Sequence, residues 1–167
     1  MTGIDENIFF RQATLAISSS LNIKVAMQHL KAYLSQHMPV AGMFFGLYDP
    51  EAHVGRLLAA IWPEDFKHPG DTIRLPNEYW QRMKEVWTKK AETNLLNDID
   101  TEADEIMKLI HLRIFPNDSS HISLDLELEH ERLGMFHIFT RGKHRYTEFQ
   151  AQLISLLHDP LTIAISN

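Results

Sequence analysis

Ser120-His-Ile-Ser-Leu-Asp-Leu-Glu-Leu128 is the stretch that decides the fold. Ile122, Leu124, Leu126 and Leu128 alternate with His121, Ser123, Asp125 and Glu127, the period of two that gives a β-strand one apolar face. Glu129 to Arg132 supply a polar return. Leu133 to Arg141 then runs back as a strand, apolar at nearly every position except His137, which predicts a central place in a sheet. Gly142 starts the next turn, and Thr147-Glu-Phe-Gln150 spells a capping box for a helix through Leu153, Ile154, Leu156 and Leu157. Pro160 is expected to kink or break that helix. The chain then ends on an apolar run, Leu161 to Ile165, which suggests a module that continues into a neighbour.

Upstream, Asp5 to Ser20 reads as a helix with Phe9, Phe10, Ala13, Ala16 and Ile17 on one face and Ile4, Ile8 and Leu15 roughly opposite. A helix apolar on two sides has either a frayed first turn or a second partner. Asn22 caps a second helix with the stripe Ile23, Met27, Leu30, Leu34 and Met38, ending before Pro39. Ala41 to Tyr48 and Val54 to Trp62 form a hairpin around Asp49-Pro50, both strands apolar on both faces. Pro63 to Pro76 reads as loop. Asn77 caps a short helix with Trp80, Met83 and Trp87 on one side, and Asn94 to Ile99 is a short strand. Thr101-Glu-Ala-Asp104 is read as a capping box, with Asp in the Glu place, for a helix ending near Phe115-Pro116.

The element order predicts an α+β domain with an antiparallel sheet, terminal helices on one face and connecting helices on the other. At 167 residues, 44% hydrophobic, the chain suits one domain with a real core. Its 22 acidic and 16 basic side chains give a formal charge of −6, without the basic run that a phosphate backbone requires, so direct nucleic-acid binding is not expected. Zero cysteines exclude disulfides, thiolate zinc and a cysteine nucleophile. No apolar stretch approaches the ~20 residues of a membrane span. The first residues lack a signal peptide's apolar core, and a cytoplasmic place is expected.

The stretch from His121 to Gly142, with Glu131-Arg132-Leu133-Gly134 after its polar turn, resembles the end of a GAF domain; Tyr146-Thr147-Glu148 before the last helix fits as well. The segment Asp159 to Asn167 looks like the exit helix of the GAF sensors that precede the ATPase module of sigma-54-dependent transcriptional activators. The resemblance implies one sensory domain over residues 1–167, the N-terminal part of a longer regulator. It also implies a profilin-like antiparallel sheet of about six strands, a homodimer through the terminal helices, and a small-molecule effector of unassigned identity between sheet and connecting helices. GAF-fold methionine sulfoxide reductases work through cysteine, which this chain lacks. The Asn-Lys-Phe-Asp-Glu signature of cyclic-nucleotide GAF domains is absent, and a bilin has no cysteine to attach to.

Seven residues are the ligand-contact candidates: Phe45, Trp62, Arg74, Trp80, His121, Ser123 and His137. The row His121, Ser123, Asp125 faces either water or a pocket, and the resemblance favours the pocket. Phe44, Phe45, Trp62, Tyr79, Trp80 and Trp87 are either core or the apolar wall of a cavity. Arg74, just before Pro76, is either an exposed loop residue or a cation at the mouth, suited to a carboxylate or phosphate. The ten histidines show no metal-binding spacing, no Gly-x-Ser-x-Gly elbow is present, and the seven glycines form no phosphate loop. A non-catalytic sensor is the expectation; the alternative is a ligand-free dimerisation or partner-docking domain that uses Ile4, Ile8 and the exit helix.

Overall fold

Side-chain parity along the two longest strands sets the layers of the molecule. In the computed structural model, which describes residues 3–66 and 69–166 except for the side chains of Val86 and Trp87, β5 (Ser119–Leu128) and β6 (Glu131–Arg141) form an antiparallel hairpin. Its two-residue turn is Glu129-His130, with φ of 51° and 68°, the left-handed pair that a type I′ turn requires and that matches the twist of the flanking strands. Even-numbered β5 residues Ile122, Leu124 and Leu126 and β6 residues Phe136 and Ile138 point into the main core; the odd-numbered residues point to the other side.

The remaining elements are α1 (Glu6–Ile17), α2 (Ile23–Leu34), β1 (Gly42–Asp49), β2 (Val54–Ile61), β3 (Thr72–Arg74), α3 (Asn77–Trp87), β4 (Thr93–Leu96), α4 (Ile99–Glu102), α5 (Glu105–Ile114), α6 (Glu148–Ser155) and α7 (His158–Ser166). The fold is α+β, with six antiparallel strands in the order β3-β2-β1-β6-β5-β4. Phe9 and Ala13 of α1, Met27, Leu30 and Leu34 of α2, Leu153 and Ile154 of α6 and Leu161 of α7 cover one face with Met43, Phe45, Ile122, Leu124, Phe136 and Ile138. Fully burying one such Leu, Ile or Phe side chain stabilises by about 1.5–3 kcal/mol, so this layer dominates cohesion.

Local chemistry explains the helix starts. Asp5 and Asn22 cap α1 and α2 through side-chain oxygens that accept backbone N–H groups, and Thr147 with Gln150 forms the reciprocal capping box of α6. Gly134 is required for another reason: a Cβ there would lie 1.9 Å from the Gly46 carbonyl oxygen, so β6 approaches β1 closely only with glycine.

Four expectations are corrected. The segment read as loop from Pro63 to Pro76 contains edge strand β3, held by Val54↔Arg74 and Arg56↔Thr72 pairing. Thr101 does not start a helix: Asp98 caps the short α4 and Asp104 caps α5, because each places a carboxylate on backbone N–H groups of the following turn. The α6–α7 break falls at Leu156-Leu157, with Pro160 in the first turn of α7, where its missing N–H costs nothing. Phe10 is 41% exposed rather than part of the buried face of α1. Trp87 places its backbone in α3, and its side chain lies outside the described residues.

Candidate ligand-binding site

On the sheet face opposite the terminal helices, β5 presents His121, Ser123 and Asp125 and β6 presents Met135 and His137, with Ser123 paired to His137 across the ladder. Tyr79 and Met83 of α3, Leu96 of β4, and Met107 and His111 of α5 close over them, leaving a cavity of about 320 Å³. Beside it lies an aromatic cluster of Phe44, Trp62, Phe115 and Phe139. The His137 ring lies nearly parallel to Phe44 (10°, centroids 4.8 Å) and to Phe115 (7°, 5.3 Å). The alternation of β5 is therefore apolar toward the helices and polar toward an enclosed space, since His121 is 1% and Asp125 7% exposed.

The hydrogen bonds of these imidazoles have a fixed direction. Ser119 Oγ lies 2.7 Å from the Pro116 carbonyl oxygen, which can only accept, so the hydroxyl proton points there. His121 Nε2, 2.8 Å from the same Oγ, must then donate, and His121 Nδ1 accepts from His137 Nε2 at 2.9 Å. His137 Nδ1 is left as a buried lone pair that no protein group bonds. His111 Nδ1 lies 2.9 Å from the Met107 carbonyl oxygen and must donate to it, so its Nε2 is also an acceptor. Burial disfavours the charged form of all three: His121 is held down to about 3 and His137 well below the ordinary histidine value, with repulsion from the neighbouring imidazoles adding to both, and His111 is lowered against the pull of its bond to Met107. Ser119 and His121 are thus no nucleophile–base pair, because the imidazole donates its N–H to the hydroxyl oxygen instead of accepting the hydroxyl proton.

Two of the cavity's carboxyl groups face arginines. Arg132, with its side chain 4% exposed, holds Asp125 at 2.9 Å, and Asp125 also accepts the Glu92 N–H. Burial nevertheless raises the Asp125 carboxyl above its usual range, against the pull of Arg132. Arg82 contacts Asp104 at the rim. Among the described residues no group of three or more His, Cys, Asp or Glu side chains is disposed to hold a metal ion.

Of the seven candidates, His121, Ser123 and His137 line the cavity. Trp62 stands in the adjoining aromatic cluster, stacked on Phe44. Phe45 lies on the opposite face of the sheet against Phe136, and its neighbour Phe44 takes the cavity side; consecutive strand residues point oppositely, and Phe45 is the one that matches the parity of Met43. Trp80 is buried against Tyr48 and His53, and Tyr79, one helical step away, reaches the cavity instead. Arg74 is exposed on β3, away from the cavity lining. Sequence reasoning missed His111, although it sits one helical turn from both Met107 and Phe115 on a stripe that faces the sheet.

No family model matches the chain, and no curated protein matches it. Solved structures do. Over 99% of this chain and 96% of the other, it is similar to the phycocyanobilin-bound GAF domain of a cyanobacterial phytochrome, with a TM-score of 0.70 and 14% identity. This chain has the GAF fold. The GAF domain of an Acinetobacter phosphoenolpyruvate-protein phosphotransferase superposes with a TM-score of 0.66 at 14% identity, over 99% of this chain and 95% of that one. The free methionine-R-sulfoxide reductase of Neisseria meningitidis, in complex with its substrate, gives 0.65 at 14% identity, over 99% and 93%. GAF-fold neighbours therefore include both sensors and enzymes. No helix among the described residues is long and apolar enough to cross a membrane.

Proposed function

We propose that this GAF-fold chain is a non-catalytic, small-molecule-sensing domain of a bacterial-type transcriptional regulator of the cytoplasm. Its effector occupies the space between the sheet and α3, α4 and α5, and α7 carries the signal to a downstream ATPase module like those of sigma-54-dependent activators. One observation carries the proposal: strand β5 walls the 320 Å³ cavity with His121, Ser123 and Asp125, and the same strand packs against α7. Within that contact the Glu127 N–H donates to His158 Nε2 at 3.3 Å, and His158 Nδ1 bonds Asp159 one residue before Pro160. A ligand that favours one position of β5 thereby biases the exit helix, provided it binds that arrangement better than the other. The similarity to a GAF domain that holds phycocyanobilin supports a small molecule in this fold.

A thermal-shift screen of metabolites, with native mass spectrometry of the purified protein, tests the proposal. A retained molecule or a selective rise in melting temperature supports sensing. A protein that melts identically with every compound and carries no bound mass overturns it.

A second observation favours pairing of two chains. Ile8, Leu15 and Ile163 are 50%, 58% and 60% exposed on α1 and α7, which touch each other, and a groove of about 300 Å³ lined by Ile17, Leu21, Ile163 and Ala164 runs beside them. These side chains fit a homodimer through the terminal helices. A ligand-free dimerisation domain is the outcome that remains if the screen is empty and the dimer is tight.

A further inference from the structure

Two imidazole acceptors, one of them buried without a partner, specify what a ligand must offer. We infer that the site selects uncharged compounds with an apolar body and an N–H or O–H donor on one edge, directed at His137 Nδ1 and His111 Nε2, and discriminates against carboxylates and phosphates. This inference rests on the cavity being the ligand site.

Each step follows from the direction of the hydrogen bonds. Ser119 spends its proton on Pro116, His121 donates to Ser119, and His137 donates to His121, so the chain ends on a lone pair at His137 Nδ1. The second lone pair, at His111 Nε2, is fixed by donation of Nδ1–H to Met107. The two rings are neighbours, 6.3 Å apart between centroids, and both line the cavity. A buried acceptor left without a donor, as His137 Nδ1 is, is costly, so a molecule that brings one gains more than its contact area alone supplies. Met83, Leu96, Met107 and Met135 receive the apolar body. Anions meet the opposite conditions: imidazoles held neutral by burial have no charge to offer, Glu102, Asp104 and Asp125 line the wall with carboxyl groups, Arg82 at the rim contacts Asp104, and Arg132 is not among the lining residues.

Indole and benzofuran have nearly the same shape, and only indole carries an N–H donor. Titrating each into the protein labelled with ¹⁵N at the histidine rings separates the donor requirement from mere cavity filling. The expected result is indole binding at least tenfold tighter, with the His137 Nδ1 resonance shifting on indole and not on benzofuran; tenfold corresponds to about 1.4 kcal/mol, the worth of one hydrogen bond. Equal or tighter binding of benzofuran overturns the donor requirement while leaving the cavity as the ligand site. Indole binding that leaves the His111 and His137 resonances unmoved also overturns it. Failure of both probes to bind up to their solubility limits overturns the cavity reading and this inference together. As a second measurement, His137→Phe, which keeps a flat ring and removes the acceptor, is expected to abolish the preference for indole; a preference that survives contradicts the assignment.

Discussion

His137 Nε2 lies 2.9 Å from His121 Nδ1 across the β5–β6 ladder, and in that contact His137 is the donor. A hydroxyl and a carbonyl one step away set this direction, so two buried imidazoles share a bond without either carrying charge. The cost of keeping them neutral appears as pH sensitivity. The unfolded chain protonates these histidines near 6.5, while the fold holds His121 down to about 3 and lowers His111 and His137.

Stability should therefore be full above pH 6.5 and fall as the pH drops toward 3, because the unfolded state binds protons that the folded state refuses. Each imidazole that stays neutral contributes a loss of about 1.4 kcal/mol per pH unit within that window. Asp125, whose carboxyl is raised by burial, acts in the opposite sense at the acid end. Urea midpoints at pH 7.5 and 5.5 check this; equal midpoints contradict neutral histidines.

Gly134→Ala should be among the most damaging single substitutions. Its Cβ would meet the Gly46 carbonyl at 1.9 Å, and backbone cannot swing aside as a side chain can. A loss of about 3 kcal/mol or more, or failure to fold, is expected on denaturation, whereas Gly3→Ala, with open space around it, should be within about 0.5 kcal/mol of the parent.

The motif that includes Gly134 shows why the last third of the chain was legible and other parts were not. Alternation over eight residues and a capping box are local signals, and each corresponds to a local arrangement in β5 and α6, whereas the close approach of Gly134 to Gly46 joins distant parts of the chain. Strand β3 spans three residues, too few for any period, and exists because Val54 to Arg56 offers it an edge. Phe44 and Phe45 are both aromatic on a strand buried from two sides, so nothing in sequence chooses which one faces the cavity. His111 was hidden for a related reason: its role depends on how α5 is rotated over the sheet. Asp98 and Asp104 prevailed over Thr101 as caps although both residue types suit that position.

Asp125→Ala should leave Arg132 buried with an uncompensated charge and cost about 3–5 kcal/mol. The double replacement Asp125→Leu with Arg132→Met should recover most of that loss, because the desolvation of both ions disappears together. Denaturant melts of the two variants test the pair; a double variant as unstable as the single one argues that the ion pair is itself the stabilising element.

Leu15→Glu and Ile163→Glu replace side chains that are already 58% and 60% exposed, so monomer stability should change by no more than about 0.5 kcal/mol. If the proposed homodimer forms through α1 and α7, sedimentation should nevertheless show its loss in these variants. Unchanged association places the interface elsewhere.

Ser123→Trp offers the most direct measurement of the sensor account, since the new ring fills the cavity from β5 and leaves the main core on the other face untouched. Any compound that raises the melting temperature of the parent protein should leave Ser123→Trp unshifted, while the variant's own far-ultraviolet dichroism and folding transition persist. An equal ligand-induced shift in parent and variant would contradict the placement of the effector between the sheet and its connecting helices.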